Sequence, residues 1–305
     1  MERKLALIVG TGAALLAAAI VAVMALAGGG DGGDGAQQRA VNSSAPEVDR
    51  FDSARAFAEL ERQVEIGPRP AGSPELRRLA EQLRRRLPGG RFERVPGHPR
   101  LRNVVGRLPG AKPPVVIAAH HDSKDIPDFV GANDGAGGTA AVMELARVLR
   151  HTDRPRGAPA LRFVLFDGEE ATDDSRPFTE TGLRGSKAYA KRHRGEVRAL
   201  ILLDFVAGKG MRIQREASSD AGMWSRLRRA AKSVGAESAF PSGTGSAITD
   251  DHTPFLAQGV PAIDLIQWPY DCWHQPCDDM SAVSEQSLDQ SGETVLELVR
   301  RLSGL

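Results

Sequence analysis

Several acids and histidines in this chain stand at or near the ends of apolar runs. His120 and Asp122 close the run VVIAAHHD, Glu169 and Glu170 close LRFVLFDGEE, and Asp204 closes ILLDF. Asp134 lies in GANDGAGG, just ahead of a helical pattern, and His252 and His274 follow in DDHTPF and CWHQPCDD. Carboxylates and imidazoles without thiolates suit zinc in a catalytic site, where one position stays open for water or substrate. Adjacent acids such as Glu169 and Glu170 let one bind metal while the other remains free as a base. Carboxylates packed together without a cation are costly, because each raises its neighbours' pKa. Taken singly, Asp134 could merely cap the next helix, the Glu pair could be a solvated loop, and His120 or His274 could be structural. Their joint placement at three strand ends argues for a site.

For these groups to meet, the strands that carry them must lie side by side. Short continuous apolar runs predict buried strands over Asn103–Arg107, Val115–His120, Leu161–Phe166 and Leu200–Phe205, with one more over Ala262–Ile266. Helical spacing predicts helices over Ala54–Ile66, Pro74–Leu87, Gly138–Leu149, Gly182–Arg192, Met223–Ser233 and Ser284–Leu302. Strand and helix signals that alternate in this way predict an α/β fold. The expected form is a three-layer sandwich with a central mixed, mostly parallel sheet. Such sheets put their sites at the carboxyl ends of the strands, where the acids fall.

Composition narrows the function. The chain has 305 residues, 40 basic against 39 acidic side chains and 41% hydrophobic residues. Near-neutral charge gives no field to steer a polyanion, and no basic stripe interleaved with aromatics points to nucleic acid. A disordered acidic tail and a multi-span membrane protein are also excluded.

Three segments follow from the patterning. Arg3 and Lys4 precede an uncharged run from Leu5 to Ala27, and residues 1–27 read as a transmembrane anchor or a signal. The run is long enough to cross a bilayer core of about 30 Å, and Ala25-Leu26-Ala27 resembles a cleavage site. The flanking charges put the C-terminal body outside the cytoplasm, as a single-pass membrane protein or, after cleavage, a secreted one. Residues 28–47 are Gly-rich and read as a flexible linker, and residues 48–305 as one catalytic domain. Cys272 and Cys277 bracket His274. Outside the cytoplasm a disulfide closing a small loop around His274 is allowed. The alternatives are two free buried thiols or Cys277 as a metal ligand.

From about Gly67 to Leu302 the chain resembles zinc peptidase family M28, whose bacterial aminopeptidases carry paired zinc ions. Within it the chain is most similar to the glutaminyl cyclase branch. GPRPAGSP, AHHDS, GANDGAGG, FDGEE, LLD and the final His274 carry the family resemblance. DSKD, FDGEEA, DDHTPFLAQGVPAIDLI and Trp273-His274 followed by Asp278-Asp279 carry the cyclase branch.

The cyclase resemblance implies one zinc on Asp134, Glu170 and His274. It makes Glu169 the general base and acid, with Asp204 and Asp250 as its hydrogen-bonding partners. Trp273 and Tyr270 resemble substrate-pocket aromatics. The aminopeptidase pattern implies a second zinc on His120 and Asp204, bridged by Asp134. Substrates would be peptide or protein N-termini. Two departures stand out. A histidine of the cyclase pattern falls at Asp264, and a pocket tryptophan has no counterpart in ATDDSRPFTETG.

Overall fold

A computed structural model describes residues 45–305. The apolar run Leu5–Ala27 and residues 28–44 of the linker lie outside the described residues. Among the described residues, no helix is long and apolar enough to cross a membrane. Glu47 already donates its N–H to Val234 O, so the folded body takes in the end of the expected linker.

In chain order the elements are α1 (Ser53–Glu65), α2 (Pro74–Arg86), β1 (Arg91–Val95), β2 (His98–Leu108), β3 (Ala111–His120) and α3 (Gly138–Arg150). Then come β4 (Pro159–Phe166), α4 (Phe178–Thr181), α5 (Arg184–Arg192), β5 (Ala199–Leu203) and α6 (Ala221–Ser233). The last three are α7 (Thr253–Leu256), β6 (Ala262–Leu265) and α8 (Glu285–Leu302). Helix starts follow local chemistry. The side chains of Asp52, Ser73, Asp220 and Ser284 each accept a backbone N–H from the first turn of α1, α2, α6 and α8. Pro74 stands at the first position of α2, where its missing N–H costs nothing.

The six strands form one mixed sheet in the order β1-β2-β4-β3-β5-β6. The β4–β3, β3–β5 and β5–β6 pairs are parallel, and β1–β2 and β2–β4 antiparallel. Alternation along the strands splits the apolar side chains between two faces. Ile117, Phe163, Ile201 and Ile263 pack into a large core with α1, α2, α3, α6 and α8. Val116, Val164, Leu200 and Ala262 pack into a smaller one with Tyr189 of α5 and Phe255 of α7. Three layers result, as the alternating pattern predicts.

β1 was not expected from the sequence. It is an edge strand, RFERV, whose charged residues hide the alternation, and it pairs only with β2. β5 stops at Leu203, so Asp204 lies just beyond the strand rather than within it.

Candidate metal centre

β4, β3 and β5 are parallel neighbours, so their carboxyl ends emerge together at one edge of the sheet. His120 is the last residue of β3, Glu169 and Glu170 follow β4 by three and four residues, and Asp204 follows β5 at once. Asp134 arrives from an irregular turn over Ala132–Gly137, in which Asp134 and Gly135 leave helical φ/ψ. Two glycines make the turn possible. Gly135 has φ +92°, and a Cβ there would come within 2.8 Å of Asp122 O. A Cβ on Gly138 would meet Leu203 O at 2.1 Å, so only glycine lets α3 start against the end of β5. Asp134 does not cap α3: the residue at that position is Gly137, and no side chain caps it.

Two three-residue groups result, His120–Asp134–Asp204 and Asp134–Glu170–His274. In the first, His120 Nε2 lies 3.2 Å from Asp134 Oδ1 and 3.1 Å from Asp204 Oδ1. In the second, His274 Nε2 lies 3.2 Å from Glu170 Oε2 and 3.7 Å from Asp134 Oδ2. Two donors each about 2.0–2.1 Å from a tetrahedral zinc stand roughly 3.3 Å apart, close to these separations. Asp134 Oδ2 and Glu170 Oε1 are buried without a hydrogen-bond partner. His120 Nδ1 lies 3.1 Å from Asp122 O, which can only accept. The proton of the neutral ring therefore sits on Nδ1, and Nε2 keeps its lone pair for the group. Donor types, spacing and orphaned oxygens all fit a zinc-class cation.

The electrostatics make the same demand. Burial, then the Asp134 carboxylate, push Glu170 up to about 7 against the pull of His274. Burial raises Glu169 and Asp204 well above the carboxylate range, with the Asp250 charge adding to both. Burial opposes a charge on His120, yet the carboxylates of Asp122, Asp134 and Asp204 lift it well above the usual imidazole range. A divalent cation offsets both the burial of these carboxylates and their mutual repulsion.

Residues to which the sequence assigned no role hold the candidate ligands in place. Asp122 accepts the backbone N–H of both Glu169 and Glu170, at 3.2 and 3.3 Å. Asp278 accepts the N–H of Asn133 and Asp134, at 2.9 and 3.0 Å. Arg69, the largest fully buried side chain, donates to the carbonyls of Val130 and Gly131 just ahead of the Asp134 turn. GPRPAGSP signalled resemblance, but nothing in it announced this task for Arg69.

A cleft of about 670 Å³ opens over the second group. Asp134, Glu169, Glu170, Asp204, Asp250, Trp273 and His274 line it, and so do Trp268, Phe205 and Lys124, which the sequence did not single out. Glu169 belongs to neither ligand group. Trp273 is 45% exposed and stacks on His274 at 4.4 Å between ring centroids. Tyr270 differs from expectation: it does not line the cleft. Its hydroxyl donates to Asp278 Oδ1 at 2.6 Å, so it supports the Asp134 turn from behind. Cys272 and Cys277 form a disulfide across His274, which adopts a left-handed φ of 52°. That excludes the free-thiol and metal-ligand alternatives. Asp264 is fully buried on β6, beside Asp250 and His252.

Comparison with known proteins agrees with this architecture. The family model described as Peptidase family M28 matches residues 103–299. A glutaminyl-peptide cyclotransferase of Drosophila melanogaster is 30% identical over 241 residues, covering 69% of this chain and 66% of that protein. The chain spans less than two thirds of the length of the curated relatives it matches. Among solved structures, Porphyromonas gingivalis glutaminyl cyclase superposes with a TM-score of 0.74 at 27% identity, over 83% of this chain and 99% of that one. A leucine aminopeptidase precursor from Bacteroides thetaiotaomicron reaches 0.74 at 26% identity, over 83% and 98%.

Proposed function

The chain belongs to peptidase family M28, and from that premise we propose that it is a zinc-dependent glutaminyl-peptide cyclotransferase. It converts N-terminal glutamine of peptides to pyroglutamate with release of ammonia. The observation that carries this reading is the division of labour between two adjacent acids. Glu170 belongs to the Asp134–Glu170–His274 group, while Glu169 stands outside both groups and lines the cleft. The relatives named as glutaminyl cyclases support the choice of reaction.

Asp134, Glu170 and His274 hold the metal, which when bound supplies Lewis-acid polarisation of the glutamine γ-carbonyl. Glu169 accepts a proton from the substrate's α-amine as that nitrogen bonds to the side-chain amide carbon. The bond from that carbon to the amide nitrogen then breaks, and Glu169 passes the proton to the departing ammonia. Burial and the neighbouring carboxylates raise Glu169's proton affinity, which suits a group that must both take and return a proton. Asp204 and Asp250 on the cleft wall orient the amine, and Trp273 packs along the glutamine side chain. The attack is intramolecular, so holding the substrate in a reactive pose is the chain's largest contribution.

The second reading, an aminopeptidase of the same family, is favoured by one specific observation. The His120–Asp134–Asp204 group is built as fully as the other. In that case Glu169 takes its proton from an attacking water, and the first peptide bond is cut. Two fluorogenic substrates separate the readings: Gln-aminomethylcoumarin with an auxiliary pyroglutamyl peptidase, and Leu-aminomethylcoumarin alone. Signal only in the coupled assay, with one zinc in the two groups that share Asp134, supports the cyclase. Direct release from Leu with both of those groups filled overturns it.

We further propose that the catalytic body works outside the cytoplasm, tethered through the Leu5–Ala27 segment or released if that segment is cut. The Cys272–Cys277 disulfide supports an oxidising compartment. Protease added to intact cells should remove the body, and protection from it would overturn the placement.

A further inference from the structure

Asp264 occupies the β6 position at which the cyclase pattern has histidine. It is fully buried, and neither carboxylate oxygen has a hydrogen-bond partner. Asp250 and His252, also buried, each bring one donor atom within 4.8 Å of it and of each other. Asp250 Oδ1 accepts the N–H of Asp251, which leaves Oδ2 buried and unpartnered.

His252 shows what this arrangement needs. Its Nε2 lies 2.8 Å from Ser218 Oγ and 3.3 Å from Glu216 Oε2. Glu216 accepts the N–H groups of Ser218, Ser219 and Ile248, and Ser218 Oγ donates to its Oε2. Ser218 Oγ and Glu216 Oε2 therefore face the ring as acceptors, and the ring proton belongs on Nε2. The opposite nitrogen, Nδ1, has no partner and no exposure, and faces Asp264 Oδ2 at 3.6 Å. That is too long for a hydrogen bond. It falls within the 3.1 to 3.7 Å found between donor atoms of the two groups on Asp134. A histidine tied through its outer nitrogen to a carboxylate, with its inner nitrogen aimed at further carboxylates, is built as a metal ligand with its supporting partner.

We propose that Asp250, His252 and Asp264 bind a divalent cation of zinc class at a third site, distinct from the two groups that share Asp134. One nitrogen and two carboxylate oxygens supply three of the four ligands that such an ion takes. Charge supports it: the buried Asp264 carboxylate otherwise faces the unpartnered Oδ2 of Asp250 in the interior. Because Asp250 also lines the cleft, the ion fixes that wall from behind. The site does not depend on which reaction the cleft performs.

The test is an anomalous difference map at the zinc edge, from crystals of the zinc-loaded full chain. A peak bounded by Asp250, His252 and Asp264 is the expected result. Peaks confined to the Asp134 groups overturn the proposal. In solution, Asp264→Asn and His252→Gln should each retain one zinc fewer per chain than the parent, by elemental analysis after dialysis. A folded Asp264→Asn protein with the parental zinc count and a higher melting temperature would mean that Asp264 held a proton, and the third site would be rejected. Should either variant fail to fold, the map from the parent chain still decides.

Discussion

Asp134 turns one carboxylate oxygen towards His120, at 3.2 Å from its Nε2, and the other towards His274, at 3.7 Å. The same side chain is thus common to both ligand groups, held there by two backbone hydrogen bonds to Asp278. Asp134→Asn is expected to cost every zinc equivalent the two groups hold, while His274→Gln costs only the ion on the Glu170 side. Elemental analysis of the purified variants checks this. Parental zinc content in Asp134→Asn would break the shared-carboxylate account.

Glu169→Gln is expected to lower turnover by roughly 10²- to 10⁴-fold with zinc content unchanged, because it removes the proton carrier and spares the ligands. Loss of metal in that variant would make Glu169 a ligand and reverse the roles of the two acids.

The strand ends were legible in the sequence because buried parallel strands read as unbroken apolar runs, and Val115–His120 or Leu161–Phe166 could hardly be anything else. His120, Glu170 and Asp204 were legible as candidate ligands because they stand at or just past those ends, whereas Asp134 and His274 come from a turn and a loop. What supports them was not. Asp278 reaches Asn133 across 145 positions and Arg69 reaches Val130 across 61, so no local spacing announces either contact. Aromatic type and nearness to His274 suggest a pocket wall at Tyr270, and no spacing in the sequence announces the hydrogen bond from its hydroxyl to Asp278.

Arg69→Lys tests that support. A lysine cannot reach two neighbouring carbonyls with a rigid fork, so the carbonyls of Val130 and Gly131 lose a shared partner. The expected cost is about 1–3 kcal/mol of stability. Zinc retention should fall roughly 10- to 100-fold as the Asp134 turn loosens. Chemical denaturation and a competitive zinc titration read the two effects, and an unchanged affinity would confine Arg69 to packing.

Asp289 on α8 supplies a pH-dependent term away from the metal. Burial, then the charges of Glu293, Asp49 and Glu285, push its carboxyl from 3.8 up to about 7. Between those values the folded chain keeps a proton that the unfolded chain has released, so stability falls as pH rises through the window. Asp289→Asn removes the ionised form. It should stabilise by on the order of 1 kcal/mol at pH 8, discounted for the partial exposure of the site. The gain should shrink towards nothing near pH 4. Urea midpoints of parent and variant at both pH values check it, and a gain independent of pH would point to packing instead.

Reducing the Cys272–Cys277 disulfide couples stability to the ligand set. His274 holds a left-handed backbone between the two cysteines, a conformation that costs a non-glycine residue about 1–2 kcal/mol. Closing so short a loop offsets this by about 2 kcal/mol through the entropy removed from the unfolded chain. Once the bond is cut, nothing covalent keeps His274 Nε2 near Glu170 Oε2. A mild reductant should lower the melting temperature by roughly 4–8 °C. It should also weaken zinc on the Asp134–Glu170–His274 group more than on the group containing His120. A melting curve and zinc titration unmoved by reduction, with free thiols verified, would mean that Trp273 stacking and the adjoining turn hold His274 unaided.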